Sequence, residues 1–221
     1  MQIAGFQPNS FIDFKGRIAA LVFTPYCNMR CWYCHNKSIL DNPELLSEDE
    51  ILKKIERDKF LLDGVVITGG EPTLQADLLD FIKKIKAMGL DVKVDTNGKR
   101  PDVIRELIEL KIIDYIAMDV KAPLNKYFKV TPTTLESEEI LRESINLIIN
   151  SGIDHEFRMT VIPQLTLEDI EEAAKEVKGA KAFYLQQYRD TAGFAPHSHE
   201  FFQKAKDICD KIVPTFIRGI R

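Results

Sequence analysis

Three of the chain's four cysteines, Cys27, Cys31 and Cys34, fall within the run "TPYCNMRCWYCHN" at residues 24–36. Thiolates are soft ligands suited to zinc and to iron–sulfur clusters, and a disulfide framework would need them in pairs. Two metal readings follow. Cys27, Cys31, Cys34 and the adjacent His35 could fill a tetrahedral zinc site, which would make the chain a structural zinc-binding module. His35 directly follows Cys34, however, and neighbours in sequence reach one tetrahedral ion only with strain. Zinc modules also commonly draw their ligands from two separated pairs. The second reading is a [4Fe–4S] cluster. Such clusters usually have four cysteine ligands. Three would leave one iron open to a substrate or cofactor, as catalytic zinc sites keep one position open.

Chemistry of this kind needs elements that hold it in place, and the chain alternates between two patterns. Short β-rich runs read as strands at 17–24, 64–69, 91–96, 114–121, 155–162 and 182–188. Helical patterns lie between and after them. "SEDEILKKIERDKF" opens on the pair Ser47 and Glu50, "LLDFIKKIKAM" stops at Gly89, and "PDVIRELIELK" starts with Pro101. "SEEILRESINLIINSG", "TLEDIEEAAKEVKG" and "SHEFFQKAKDICDKI" complete the set. Strand–helix units at this spacing predict parallel strands joined by right-handed crossovers. Six units are too few for an eight-stranded barrel, leaving an open partial barrel or a flat doubly wound sheet. In both, chemistry is expected at the C-terminal ends of the strands. The first strand runs straight into the cysteine loop, residues 25–36.

Composition bounds the class. The chain has 221 residues, 45% hydrophobic and 29% charged, with a net charge of −4. That balance is ordinary for a soluble globular protein and carries no basic footprint for nucleic acid. The start "MQIAGFQPNSF" has no signal-peptide pattern, and no apolar run approaches a membrane span. The expectation is a single cytoplasmic domain over residues 1–221, with reduced thiols.

The other strand ends carry polar residues. Gly69 and Gly70 in "TGGEPTLQ" remove two Cβ atoms where a backbone would closely approach a ligand. The plainer alternative is a strand-to-helix turn, with Glu71, Pro72 and Thr73 starting the next helix. In "VDTNG", Asn97 and Gly98 are a turn signal, which leaves Asp95 and Thr96 unexplained. Strand alternation puts Asp119 and Lys121 on one face and Met118 and Val120 on the other. It likewise puts Glu156, Arg158 and Thr160 opposite Phe157, Met159 and Val161. Charges on the inward side of successive strands suggest a polar pocket; a structural ion-pair network among Asp119, Lys121 and Arg158 is the alternative. Cys209 reads as a small buried hydrophobe in the last helix.

Cys-x3-Cys-x2-Cys after a first strand, with Tyr33 before the last cysteine, resembles the radical S-adenosylmethionine (SAM) superfamily. "CHN" at 34–36 and "DFKGRIAALVFTPYC" narrow the resemblance to glycyl-radical-enzyme activating proteins. Within these, the chain is most similar to the anaerobic ribonucleoside-triphosphate reductase activating group, with pyruvate formate-lyase activases near by. Two positions depart from that pattern: Tyr26 stands where relatives usually have Gly, and Lys15 where they often have Pro.

The resemblance implies a partial (β/α)6 TIM-like barrel in which Cys27, Cys31 and Cys34 hold a [4Fe–4S] cluster. It implies that Gly69, Gly70 and Glu71 bind the methionyl ammonium of SAM. Asp95, Thr96, Asp119 and a carbonyl near Ala117 would hold a monovalent cation beside the SAM carboxylate. Lys121 would lie near SAM, Tyr33 and Arg158 would belong to the same site, and Gln187 or Arg189 would approach the adenosyl moiety. The implied reaction is reductive cleavage of SAM to a 5′-deoxyadenosyl radical, which takes a hydrogen from a glycine of a partner enzyme. The partners would be a glycyl radical enzyme and a one-electron donor such as flavodoxin or ferredoxin. No residue needs to act as a general base. A small-molecule radical SAM enzyme similar to 7-carboxy-7-deazaguanine synthase is the alternative within the superfamily.

Overall fold

A computed structural model of the chain describes residues 1–132, 137–190 and 193–220. The strands among them are β1 (Gly5–Ser10), β2 (Ala19–Thr24), β3 (Gly64–Gly69), β4 (Asp91–Thr96), β5 (Tyr115–Asp119), β6 (Asp154–Val161), β7 (Phe183–Gln187) and β8 (Thr215–Arg218). The α-helices are α1 (Glu48–Asp58), α2 (Leu78–Ala87), α3 (Pro101–Glu109), α4 (Ser137–Asn150), α5 (Leu167–Glu176) and α6 (His199–Cys209). The strand order is the chain order, β1 to β8. β2–β3, β3–β4, β6–β7 and β7–β8 pair in parallel, as crossovers through helices require, and β1–β2 pairs antiparallel. The class is α/β with a mostly parallel sheet.

Six of these strands, β2 to β7, are those expected from the sequence; β1 and β8 are additional. "GFQPNS" of β1 carries Pro8 and its register shifts between Gln7 and Ser10, so it shows no period-two pattern. Pro8 suits an edge strand, where one side needs no ladder partner. β8 spans four residues, too short for a periodic signal.

The chain divides into two compact units, Met1–Asn28 with Asn36–Thr96 and Asp102–Ile116, and Met29–His35 with Asn97–Pro101 and Ala117–Arg221. In the first, β3 is a continuous apolar run whose Val65, Val66 and Ile67 are fully buried, as expected of an interior parallel strand. The apolar faces of α1 (Ile51, Ile55) and α2 (Phe81, Ile82, Ile85) are buried with it. Ser47 caps α1 by accepting the backbone N–H of Glu50, as its sequence pattern suggests. In the second unit, Phe157, Met159 and Val161 of β6 share a core with Phe183 and Leu185 of β7, Ile170 of α5 and Phe202 of α6. Cys209 is fully buried there, as expected. Among the described residues, no helix is long and apolar enough to cross a membrane.

Candidate active site

In the first unit, β2 ends at Thr24, and Pro25 and Tyr26 lead to Cys27. β3 runs alongside, with Thr24 opposite Gly69. Beyond the ladder, Gly70 N–H donates to the Thr24 carbonyl and Glu71 N–H to the Tyr26 carbonyl, both at 2.8 Å. Gly69 has φ +113, a conformation side chains rarely tolerate. A Cβ on Gly70 would lie 1.8 Å from the Tyr26 carbonyl oxygen. The two glycines therefore permit a close approach to the chain's own backbone at the mouth of the cysteine loop, a partner the sequence did not name. Asn36 closes the far end of that loop by donating its Nδ2 to the Gly69 carbonyl at 2.8 Å.

Glu71 is 1% exposed. Its Oε1 accepts the Thr73 N–H at 3.2 Å, the Thr73 hydroxyl at 2.5 Å and the Thr96 hydroxyl at 2.7 Å. A buried carboxylate needs such donors, and here they fix its orientation. Residues 72–74 form a separate tight turn and α2 begins only at Leu78, so Glu71 to Thr73 do not open that helix. Glu71 and Thr96, expected in one site, are brought together; Thr73 is a third member the motif alone did not mark.

Asp95 lies on the same side of β4 as Lys93, whose Nζ is 3.5 Å from its Oδ1. Lys93 is almost fully buried, donates to the Asp13 carbonyl and sits 5.3 Å from the centre of the Tyr115 ring. Its two-residue spacing from Asp95 was the available signal for this pairing.

In the second unit, the cysteine loop is held by backbone and ring contacts. Arg30 N–H donates to Thr131 Oγ1 at 3.0 Å, Trp32 N–H to the Val130 carbonyl at 3.3 Å, and Cys34 N–H to the Cys31 carbonyl at 3.1 Å. The Trp32 ring meets Tyr33 at 5.4 Å, Tyr188 at 5.8 Å and Phe194 at 5.6 Å between centroids. Tyr33 is 4% exposed and burial pushes its phenol pKa up, so it stays neutral. This aromatic group was missed, because Tyr188 and Phe194 are remote in sequence from the loop they support.

The inward charges of β5 and β6 pair directly. Arg158 Nε donates to Asp119 Oδ1 at 2.9 Å, and Lys121 Nζ lies 3.4 Å from Asp119 Oδ2. Burial would raise the Asp119 pKa, but Arg158 and Lys121 hold the carboxyl below its usual range. Burial likewise opposes the Lys121 ammonium, and Asp119 outweighs it. The Lys121 backbone N–H donates to the Tyr127 hydroxyl at 3.0 Å, a buried partner not anticipated. Glu156 of β6 accepts from Arg218 of β8 with both oxygens, each at 2.9 Å. Gln187 is half-buried at the end of β7, and Arg189 is exposed.

Among the described residues, the four cysteines form no disulfide, and no three His, Cys, Asp or Glu are gathered as a metal site. The donor chemistry fits an iron–sulfur cluster. The loop offers three thiols, and although burial pushes the Cys31 thiol up, the Lys121 charge favours its thiolate.

Comparison with known proteins adds to this geometry. The family model described as "Radical SAM superfamily" matches residues 21–177. The chain is 38% identical over 192 residues to "Putative glycyl-radical enzyme activating enzyme" of Methanocaldococcus jannaschii, covering 84% of this chain and 79% of that protein. It is 29% identical to the pyruvate formate-lyase-activating enzyme of Clostridium pasteurianum, over 81% of this chain and 77% of that one. Among solved structures, SuiB of Streptococcus suis bound to S-adenosylmethionine aligns with a TM-score of 0.67 at 14% identity. That alignment covers 91% of this chain and 52% of SuiB, and it shows a shared fold.

Proposed function

The chain belongs to the radical SAM superfamily, and from that premise we propose that it is an activating enzyme that installs a glycyl radical on a partner protein. The observation that carries this reading is the cysteine motif at the end of β2, hooked to Gly70 and Glu71 of the next strand's end, in a chain 38% identical to a protein named for glycyl-radical activation. The proposed partner is anaerobic ribonucleotide reductase, on the resemblance of residues 13–36. A pyruvate formate-lyase-type partner is the second reading, favoured by the Clostridium pasteurianum relative.

Cys27, Cys31 and Cys34 would hold the [4Fe–4S] cluster and leave one iron to the amino and carboxylate groups of SAM. When bound and reduced, the cluster supplies one electron for cleavage of the SAM sulfonium. Glu71, oriented by Thr73 and Thr96, would receive the methionyl ammonium beside the Gly69–Gly70 backbone. Lys121, held by Asp119, would offer positive charge to the carboxylate. Tyr33 would shield the cofactor site from water, and Gln187 would approach the adenosyl group. No side chain moves a proton. The electron donor would be a flavodoxin or ferredoxin, and the reduced thiols suit a cytoplasmic setting.

The test is anaerobic reconstitution with iron and sulfide, then incubation with SAM, a reductant and candidate glycyl radical enzymes. A brown protein that cleaves SAM and raises a glycyl EPR doublet on one candidate is the expected result. Turnover of a small molecule without any doublet would favour a small-molecule enzyme instead, and a colourless zinc protein inert to SAM would end the reading.

A further inference from the structure

The family pattern places a monovalent cation against Asp119, with Asp95 and Thr96 as further ligands. The side chains around these residues do not fit such an ion. A carboxylate attracts a free cation when its own charge is uncompensated, and Asp119 already has two cationic neighbours. Arg158 Nε is 2.9 Å from Oδ1 and Lys121 Nζ is 3.4 Å from Oδ2. These cationic side chains are 13% and 14% exposed and the Asp119 side chain 34%, so solvent and salt screen the pairs only in part. Among the described residues, Asp119 thus lies against two cationic side chains, which compete with a free cation for its carboxylate.

Asp95, a further ligand expected of the ion, has a cation of its own unit near it. Asp95 Oδ1 lies 3.5 Å from the ammonium of Lys93, a side chain only 2% exposed. Arginine suits the replacement of a metal ion at a carboxylate. Its charge is permanent, its hydration is weak, and its donors are fixed in a plane.

We infer that Arg158 is a built-in counter-ion that takes the place of the monovalent cation at Asp119, so that SAM binding in this chain is independent of sodium and potassium. Arg158 is on this view a positioning residue, acting on SAM through Asp119 and Lys121. The inference rests on the reading of the chain as a SAM-binding enzyme.

The experiment titrates SAM into the anaerobic cluster-loaded protein by calorimetry, in sodium, potassium or choline chloride at equal ionic strength. The cluster-free chain is melted in the same three salts. The wild type is expected to bind SAM within about twofold in all three, with one common melting midpoint. Arg158→Gln is expected to lose about tenfold in SAM affinity in choline and to recover most of it in sodium or potassium. Arg158→Lys, which keeps the charge, should remain indifferent to the salt. A wild-type affinity about tenfold higher in sodium or potassium than in choline overturns the inference. So does an Arg158→Gln protein that binds SAM in choline as tightly as the wild type. If Arg158→Gln fails to fold, the wild-type and Arg158→Lys titrations decide. If no SAM binds in any salt, the SAM-enzyme reading has failed, and a rise in the cluster-free melting midpoint specific to sodium or potassium would still overturn the counter-ion.

Discussion

The carbonyl oxygen of Tyr26 receives the backbone N–H of Glu71 at 2.8 Å, and the Cβ that Gly70 lacks would sit 1.8 Å from that same oxygen. The residue before the first cysteine and the start of the Gly-Gly-Glu segment are thus one backbone joint. Every expected outcome at either position follows from how tightly that joint is closed.

Gly70→Ala puts a methyl group into backbone, which cannot turn aside as a flexible side chain would. The strand end or the Tyr26 peptide must shift. The expected cost is about 3 kcal/mol, in the range of overpacked interiors. Urea unfolding of the cluster-free chain measures it, and a loss within error of zero would show that the joint can open freely.

Tyr26 has φ 63 without being glycine, and its side chain is 41% exposed. The left-handed conformation costs a residue with a Cβ about 1–2 kcal/mol, part of which glycine returns through unfolded-state entropy. Tyr26→Gly is therefore expected to raise stability by about 0.5–1 kcal/mol. A lower melting midpoint would mean that the Tyr26 ring contributes contacts worth more than the relieved strain.

Thr96→Val keeps the shape of the side chain and removes the hydroxyl that donates to Glu71 at 2.7 Å. A hydrogen bond to a buried charged group contributes about 2 kcal/mol. The variant should lose that much stability and bind SAM more weakly, because Glu71 is less firmly oriented. Unchanged SAM affinity, measured by calorimetry on loaded protein, would separate Glu71's orientation from cofactor binding.

His155 is 3% exposed, with Nδ1 2.9 Å from the Ile153 carbonyl and Nε2 3.2 Å from the Lys181 N–H. Nδ1 therefore carries the proton and Nε2 accepts. Burial pushes the pKa below its ordinary value, and the nearby Lys181 adds to this while Asp154 and the Ile153 carbonyl oppose it. The neutral ring is the folded form, so its contribution is complete above the unfolded pKa of about 6.5 and is lost as pH falls from there through the folded value. His155→Gln should be less stable than the wild type near neutral pH, and the gap should narrow as pH drops from about 7.5 to about 5.5. A constant gap across that range would show that His155 does not titrate with folding.

The sequence alone determined the features that depend on local spacing. Cys27, Cys31 and Cys34 were legible as an incomplete ligand set because thiol chemistry and their interval need no fold to be recognised. The strands β2 to β7 were legible from their apolar runs, and the alternation along β5 and β6 correctly set Asp119 and Arg158 on the polar side of their strands. Tertiary structure alone decided which partner each of these residues meets. Nothing in "TGGEP" says that its glycines approach the Tyr26 carbonyl, since residues 26 and 70 come together only through parallel pairing of β2 and β3. That Lys93 is buried beside Asp95, that Glu156 turns to Arg218, and that Arg158 meets Asp119 were likewise set by the fold. Charge and hydrogen-bonding capacity belong to a residue type, whereas their compensation depends on distances that pairing and packing impose between remote parts of the chain.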